Sequence, residues 1–283
     1  METGHRLLQE GRLGSGEMDS AETLIAETHH SIIARRQWQG AKAVIKRCRH
    51  QADPRTASRF LNELEALKLI GVHENITQLL DANTSHITLT LRFEPGQSLD
   101  RHVDADMKST LPPSDCAILW TQMSGVLAHL HDTCSLIHDD VKPENIIWDP
   151  VSRNSVLIDF GAALNLKVLP EEFFNPSGTP PYAPPEYLRR RKGREGDVWA
   201  LGVAMLFALG RLPLPNGDWI LPEVFEKEDV RREMVEWLDE VEGCRTALVG
   251  GGDILLAEML EPDFVNRIGS GELVRRLGLR GVV

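Results

Sequence analysis

The sequence predicts an α+β protein with a small β-sheet and one helix in its first third, followed by a larger, mostly helical part. Three observations carry this. Short β-branched and apolar runs at 23–35, 41–46 and 87–93 crowd the first hundred residues and enclose one helical stretch, 56–70. Beyond them the patterns turn helical, at 114–133, in the apolar run 198–209 and in three stretches within 211–283. In between, Asn145-Ile146-Ile147-Trp148 and Val156-Leu157-Ile158 flank a polar turn, which is a hairpin pattern with polar groups gathered at both ends.

The chain has 283 residues, 42% of them apolar, ample for a core in one domain or two lobes. A net charge of -11 argues against a sequence-independent nucleic-acid binder. Cys48, Cys116, Cys134 and Cys244 are scattered, without paired metal spacing. They read as reduced thiols of a cytoplasmic protein, with a nuclear location as the other option. Residues 1–6 lack the apolar run of a secretory signal, and 198–209 is too short to cross a bilayer. No repeat or low-complexity tract is visible.

Residues 1–20 are polar and Gly-rich and read as a poorly ordered tail. Residues 23–35 follow as two strands around a polar turn, and Ala41–Lys46 as a third. In the helix 56–70, Phe60, Leu64 and Leu67 line one face and Gly71 is a plausible stop. Glu63 shares that inward stripe, whereas Glu65 falls on the wet face. Glu94-Pro95-Gly96 ends the strand 87–93. Ser114 suits an N-cap for the next helix, whose stripe is Leu119, Met123, Val126 and Leu130. His129 and His131 near its end read as surface or packing residues. The helix from 197 is apolar nearly all round and should be buried, so Asp197 at its start needs partners.

The hairpin draws Asp140, Lys142 and Asn145 toward Asp159. An amide oxygen and a carboxylate are hard ligands of the kind Mg²⁺ prefers beside phosphate oxygens. A second carboxylate can orient a hydroxyl, and an ammonium can hold a moving phosphate. His138-x-Asp140-x-Lys142-x-x-Asn145, followed by Asp159-Phe160-Gly161, resembles the catalytic and metal-binding loops of the eukaryotic-type protein kinases. Ala43-Val44-Ile45-Lys46, the stretch Ser177–Glu186 and Asp197-Val198-Trp199 are similar to further motifs of that family. The resemblance covers about residues 21–280. It implies a bilobal kinase-like fold, with a β-sheet-plus-helix N-lobe over 21–94 and a helical C-lobe over 95–283.

The same resemblance implies ATP and Mg²⁺ as cofactors and Ser/Thr hydroxyls of proteins as acceptors. Asp140 would orient the hydroxyl, Lys142 would stabilise the moving phosphate, and Asn145 and Asp159 would hold Mg²⁺. Lys46, paired with Glu63, would meet the α- and β-phosphates. Ala26, Ile33, Val44, Leu91, Phe93 and Ile147 would border the nucleotide, Leu91 as gatekeeper before a hinge at Glu94-Pro95-Gly96. His138 and Phe160 would pack with Leu67 and Leu79 in a column joining the lobes. Glu186 would pair with Arg267, and Thr179 with Asp140 and Lys142.

Besides Arg92 in place of an acid and Pro184 in place of an alanine, the sequence departs from the family at three places that bear on activity. Ala26, Thr28 and Ser31 stand where the phosphate-covering loop carries glycines. Val44 replaces the Ala over the adenine, and Asp139 replaces the Arg that meets a phosphate on the activation segment. A carboxylate there repels phosphate, so activity is expected to be constitutive with respect to phosphorylation of that segment. These departures motivate one alternative, a kinase-like scaffold without turnover. A small-molecule phosphotransferase of the antibiotic-kinase type shares the Asp…Asn…Asp skeleton, but Lys142-Pro143 and 178–186 speak against it. The chain is expected to be a monomer with no membrane span and no nucleic-acid partner.

Overall fold

A computed structural model describes residues 22–280 apart from 29, 50–52, 171–172 and 218. The tail read at 1–20 lies outside the described residues.

Strands β1 (Thr23–Glu27), β2 (Ser31–Trp38) and β3 (Ala41–Cys48) form an antiparallel meander. Gln39 and Gly40 join β2 to β3 with φ of 49° and 84°, the tight turn whose twist matches a hairpin. Helix α1 (Pro54–Ile70) follows. Asp53 caps it, accepting from the Arg55 amide at 3.1 Å and the Thr56 hydroxyl at 2.7 Å, and Gly71 closes it at φ 69°. Strands β4 (Leu79–Asn83) and β5 (Thr88–Arg92) complete a five-stranded sheet in the order β1-β2-β3-β5-β4.

The chain then leaves that sheet. Strand β6 (Gln97–Ser98) joins another, and Gly96 makes the crossing at φ 101°. A Cβ on Gly96 would lie 2.1 Å from the Trp148 carbonyl oxygen, so only glycine fits. Helix α2 (Pro113–Ala128) runs on into a wider turn, His129–Cys134, that ends on left-handed Ser135. Leu119, Met123, Val126 and Leu130 are buried as their spacing anticipates. Ser114 is not the cap. Pro112 holds that position, and the Ser114 hydroxyl donates to the neighbouring Asp115 instead. A proline before the first turn fixes φ without a side-chain cap.

Strand β7 (Leu136–Ile137) leads into the loop 138–145. The expected hairpin follows as β8 (Ile146–Asp149) and β9 (Asn154–Leu157), with β8 paired on its other edge to β6. Strand β10 (Leu164–Asn165) returns to pair with β7. Helices α3 (Arg194–Ala208), α4 (Glu228–Gly251), α5 (Ile254–Met259) and α6 (Ser270–Arg280) finish the chain. Gly250 and Gly251 lie in the last turn of α4 rather than in a loop, and Gly252 caps it at φ 84°.

A single apolar cluster runs from Phe60, Leu64 and Leu89 under the sheet to Leu127, Trp199 and Phe207 among the helices. The fold therefore has two lobes, a sheet with one helix and a helical body. A second cluster, around Tyr187, Leu221 and Met234, lies beneath the segment 173–190.

Candidate active site

Strand β3 sets Lys46 opposite Ile33 of β2 and Leu89 of β5. Its ammonium leaves the sheet and donates to Glu63 on α1 at 2.6 Å and to Asp159 at 2.8 Å. Helix phase points to Glu63, and Glu63 is 2% exposed whereas Glu65 is exposed. Burial lowers the Lys46 pKa, but the two carboxylates outweigh it and hold the ammonium above its ordinary value. Burial pushes Glu63 up. Asp159 is held well below the carboxylate range, because the Lys46 charge overcomes its burial. One ammonium thus serves two carboxylates.

Asp159 sits on left-handed backbone, φ 63°, and accepts from the Gly161 amide at 3.3 Å. A Cβ at Gly161 would lie 3.2 Å from the Asp159 carboxylate and 3.3 Å from the Arg59 guanidinium, so one of those side chains would have to shift slightly to accept it. Arg59 stands one turn before Glu63 on α1 and adds a cation to the same cleft. Sequence reading did not single it out, although its spacing from Glu63 puts both on one helix face.

In the loop 138–145, the Lys142 ammonium donates to the Thr179 hydroxyl at 2.7 Å and pairs with Asp140 at 3.0 Å. Thr179 in turn donates to Asp140 at 2.6 Å. The Asn145 side-chain NH₂ donates to the Asp140 carbonyl at 2.8 Å and to its carboxylate at 3.1 Å, which leaves the amide oxygen to coordinate a cation. The Ile158 amide donates to the Asn145 carbonyl at 2.9 Å, tying the strand before Asp159 to this loop.

Behind the loop, Asp197 at the start of α3 accepts from the amides of His138 at 2.7 Å and Asp139 at 2.9 Å, and bonds His131 at 3.0 Å. These partners offset burial and hold Asp197 below its ordinary value. His131 is a buried member of this network rather than a surface residue. His138 meets Phe160 edge-on at 4.7 Å, with Leu67 buried and Leu79 half-buried against the same core. Glu186 and Arg267 form a buried bidentate pair at 2.7 and 2.9 Å.

Lys46, Glu63, Asp140, Lys142 and Asp159 line one open cleft, together with Thr28, His30 and Ser31 of the β1–β2 turn. Asn145 reaches it through Asp140. Ala26, Ile33, Val44, Leu91, Phe93 and Ile147 do not line that cleft. Ala26 and Ile33 are register partners between β1 and β2, and Val44 pairs across to Leu91. Phe93 carries Arg35 and Lys42 over its ring at 5.9 and 5.7 Å. Ile147 lies on β8, paired with Ser98.

Asn145 and Asp159 offer two hard oxygen donors. No cluster of three His, Cys, Asp or Glu that could hold a metal occurs among the described residues. That set fits a cation such as Mg²⁺ that takes much of its shell from phosphate and water. Chemically, the arrangement can hold a polyphosphate against Lys46 and Arg59 and present a hydroxyl to Asp140.

A family model described as a protein kinase domain matches residues 10–276. Human hormonally up-regulated neu tumor-associated kinase is 31% identical over 270 residues, 93% of this chain and 35% of that protein. Zebrafish (Danio rerio) maternal embryonic leucine zipper kinase is 32% identical over 193 residues, 66% of this chain and 28% of that protein. The chain spans about a third of the length of these curated relatives.

Proposed function

Because this chain belongs to the protein kinase family, we propose that it transfers the γ-phosphate of ATP to Ser or Thr hydroxyls of protein substrates. The observation that carries the reading is the closed triangle of Asp140, Lys142 and Thr179, with sides of 2.6, 2.7 and 3.0 Å, facing Lys46 across one cleft. Asp140 takes a hydrogen bond from the incoming hydroxyl and aims its oxygen at the phosphorus. Lys142 balances charge on the transferred group, and Thr179 holds both side chains in register. Lys46, fixed by Glu63, and Arg59 receive the nucleotide phosphates. Asn145 and Asp159 would hold Mg²⁺, which when bound supplies positive charge against the phosphate oxygens. The protein's share is positioning and preset charge. Ala26, Ile33, Val44, Leu91, Phe93 and Ile147, which lie outside that cleft, would border the base and ribose.

Activity is constitutive with respect to activation-segment phosphorylation, because position 139 carries an acid. The protein works as a monomer in the cytoplasm. Its free cysteines support that location.

The test is transfer of labelled γ-phosphate from MgATP to a mixed protein substrate. Asp140→Asn is expected to lower kcat about 10³-fold while nucleotide binding stays within about threefold. A wild-type protein that binds MgATP and transfers nothing supports the second reading, a kinase-like scaffold. The glycine-free turn over the cleft favours that reading.

A further inference from the structure

Lys192, Asp139 and Ser177 form a second knot beside the triangle, one the chemistry above does not use. The Lys192 ammonium donates to Asp139 at 2.5 Å, to the Ser177 hydroxyl at 2.8 Å and to the Ser177 carbonyl at 2.9 Å. The Ser177 hydroxyl donates to the same Asp139 oxygen at 2.7 Å. Three donors of one ammonium thus converge on one corner. The side chains of Lys192 and Asp139 are 7% and 10% exposed. Asp139 is held there on left-handed backbone, φ 64°, a conformation that persists only where surrounding bonds impose it.

The knot joins three parts of the chain. Asp139 belongs to the loop that carries Asp140 and Lys142. Ser177 belongs to the segment that carries Thr179, and Lys192 leads into α3, whose Asp197 holds the loop backbone. A buried Asp–Lys pair adds little net stability over an apolar pair, yet removing one partner leaves an uncompensated charge. Its value lies in geometry. The charges are also inverted relative to a phosphate anchor: the loop supplies the anion, the segment a neutral hydroxyl, and the cation comes from outside both.

We propose that Lys192 is a positioning residue that, through Asp139 and Ser177, sets the register of the segment so that Thr179 reaches Asp140 and Lys142. The proposal rests on the phosphoryl-transfer reading for its kinetic consequence and on the fold alone for its structural one. A negative charge added at 177 should therefore act against the site, facing Asp139 with only one ammonium to share.

The test uses the full chain and two readouts: kinetics of γ-phosphate transfer to casein, and hydrogen exchange of the amides of 173–186. Lys192→Met should lower kcat about thirtyfold with KM for ATP within about twofold, since Lys46 and Asp159 are untouched. The Tyr182 and Ala183 amides, bonded to the carbonyls of Thr179 and Pro180, should exchange about tenfold faster. Ser177→Asp should behave like Lys192→Met. The double variant Asp139→Asn/Lys192→Met should lose no more than the worse single variant.

Unchanged kcat and exchange in Lys192→Met would overturn the proposal, as would strictly additive losses in the double variant. If Lys192→Met fails to fold, Lys192→Gln and Ser177→Asp carry the same comparison. If the wild-type chain transfers no phosphate, the functional reading fails and the exchange arm decides alone. Faster exchange confined to 173–186 then supports the anchor, and unchanged exchange overturns it.

Discussion

Thr28 closes the β1–β2 turn through bonds within residues 28–31: its hydroxyl accepts from the Ser31 amide at 2.9 Å and from the His30 amide at 3.3 Å. The amides of His138 and Asp139, by contrast, are held by Asp197, 59 and 58 residues further along the chain. One face of the cleft is shaped largely by local bonds, braced by the Arg49 amide on the His30 carbonyl at 2.8 Å and by His30 on Thr56 at 3.1 Å, and the other by buried tertiary contacts. Local bonds give a turn its form but little cooperative rigidity, whereas buried long-range bonds fail only when the fold opens. The difference suits a site where the nucleotide has to enter and leave on one side while the hydroxyl is aimed from the other.

The comparison breaks if removing a long-range hold costs no more than removing a local one. The largest expected effect is at Arg267, whose guanidinium is fully buried against Glu186, 81 residues away. Arg267→Met strands a buried carboxylate and should cost about 3–5 kcal/mol of unfolding free energy, measured by denaturant titration. A cost under about 1 kcal/mol would mean that Glu186 finds water, and the helical side of the cleft would be no more over-determined than the turn. Next comes Asp197→Ala, which orphans two loop amides. We expect kcat to fall about hundredfold as Asp140 drifts, with nucleotide affinity nearly unchanged.

A pH profile sharpens the comparison on the same side. Burial pushes Asp139 up to about 6, against the opposing pull of Lys192. The groups facing it are Lys192 itself, the Ser177 hydroxyl, Asp197 on α3 and Tyr187 beneath the segment. As pH falls through about 6 the acid takes up a proton and its bonds to Lys192 and Ser177 weaken, so wild-type kcat should drop several-fold. Asp139→Asn should be slower at neutral pH and flatter across that window, which separates this group from the titrating phosphate of ATP. The stability effect has the opposite sign. A carboxyl whose folded pKa is raised binds more protons folded than unfolded, so its own contribution to stability falls as pH rises from its ordinary value to about 6. An acid-side loss of kcat without a loss of melting temperature is therefore the expected pattern.

How much of this was legible in the residues depends on the range of each interaction. Asp140, Lys142, Asn145 and Asp159 could be grouped because a hairpin of fixed length brings its own ends together. Glu63 could be preferred over Glu65 because helix phase is a local rule, and Lys46 does donate to Glu63. The anticipation that Asp139 would repel a phosphate had the sign of its charge but not its partner. Lys192 is 53 residues away, in a run of four basic residues, Arg189 to Lys192, from which spacing cannot choose. The cap assigned to Ser114 failed because Pro112 competes for the same turn, and the packing role open to His131 could not be given its partners, Asp197 and Ser270, because they come from two other helices. Pairings set by backbone period could be inferred, whereas those set by how helices pack could not.

The smallest expected effect falls on the locally built side. Thr28 stands where the family resemblance would place a glycine, and its hydroxyl accepts from the His30 and Ser31 amides that border the cleft. Thr28→Gly removes that acceptor from both N–H groups, so that the Ser31 amide can turn to a phosphate, at the cost of a more mobile turn. The two effects oppose each other and each amounts to about 1 kcal/mol, so the change in MgATP Kd should stay within about fivefold. We expect it toward tighter binding, because the amide that Thr28 now occupies most closely, that of Ser31 at 2.9 Å, can then donate to a phosphate, with melting temperature shifted by no more than about 2 °C. Titration of a fluorescent ATP analogue in Mg²⁺ reads the sign. Weaker binding in Thr28→Gly would mean that the threonine itself preforms the turn for the nucleotide, and the glycine-free loop would then be a working solution rather than a defect.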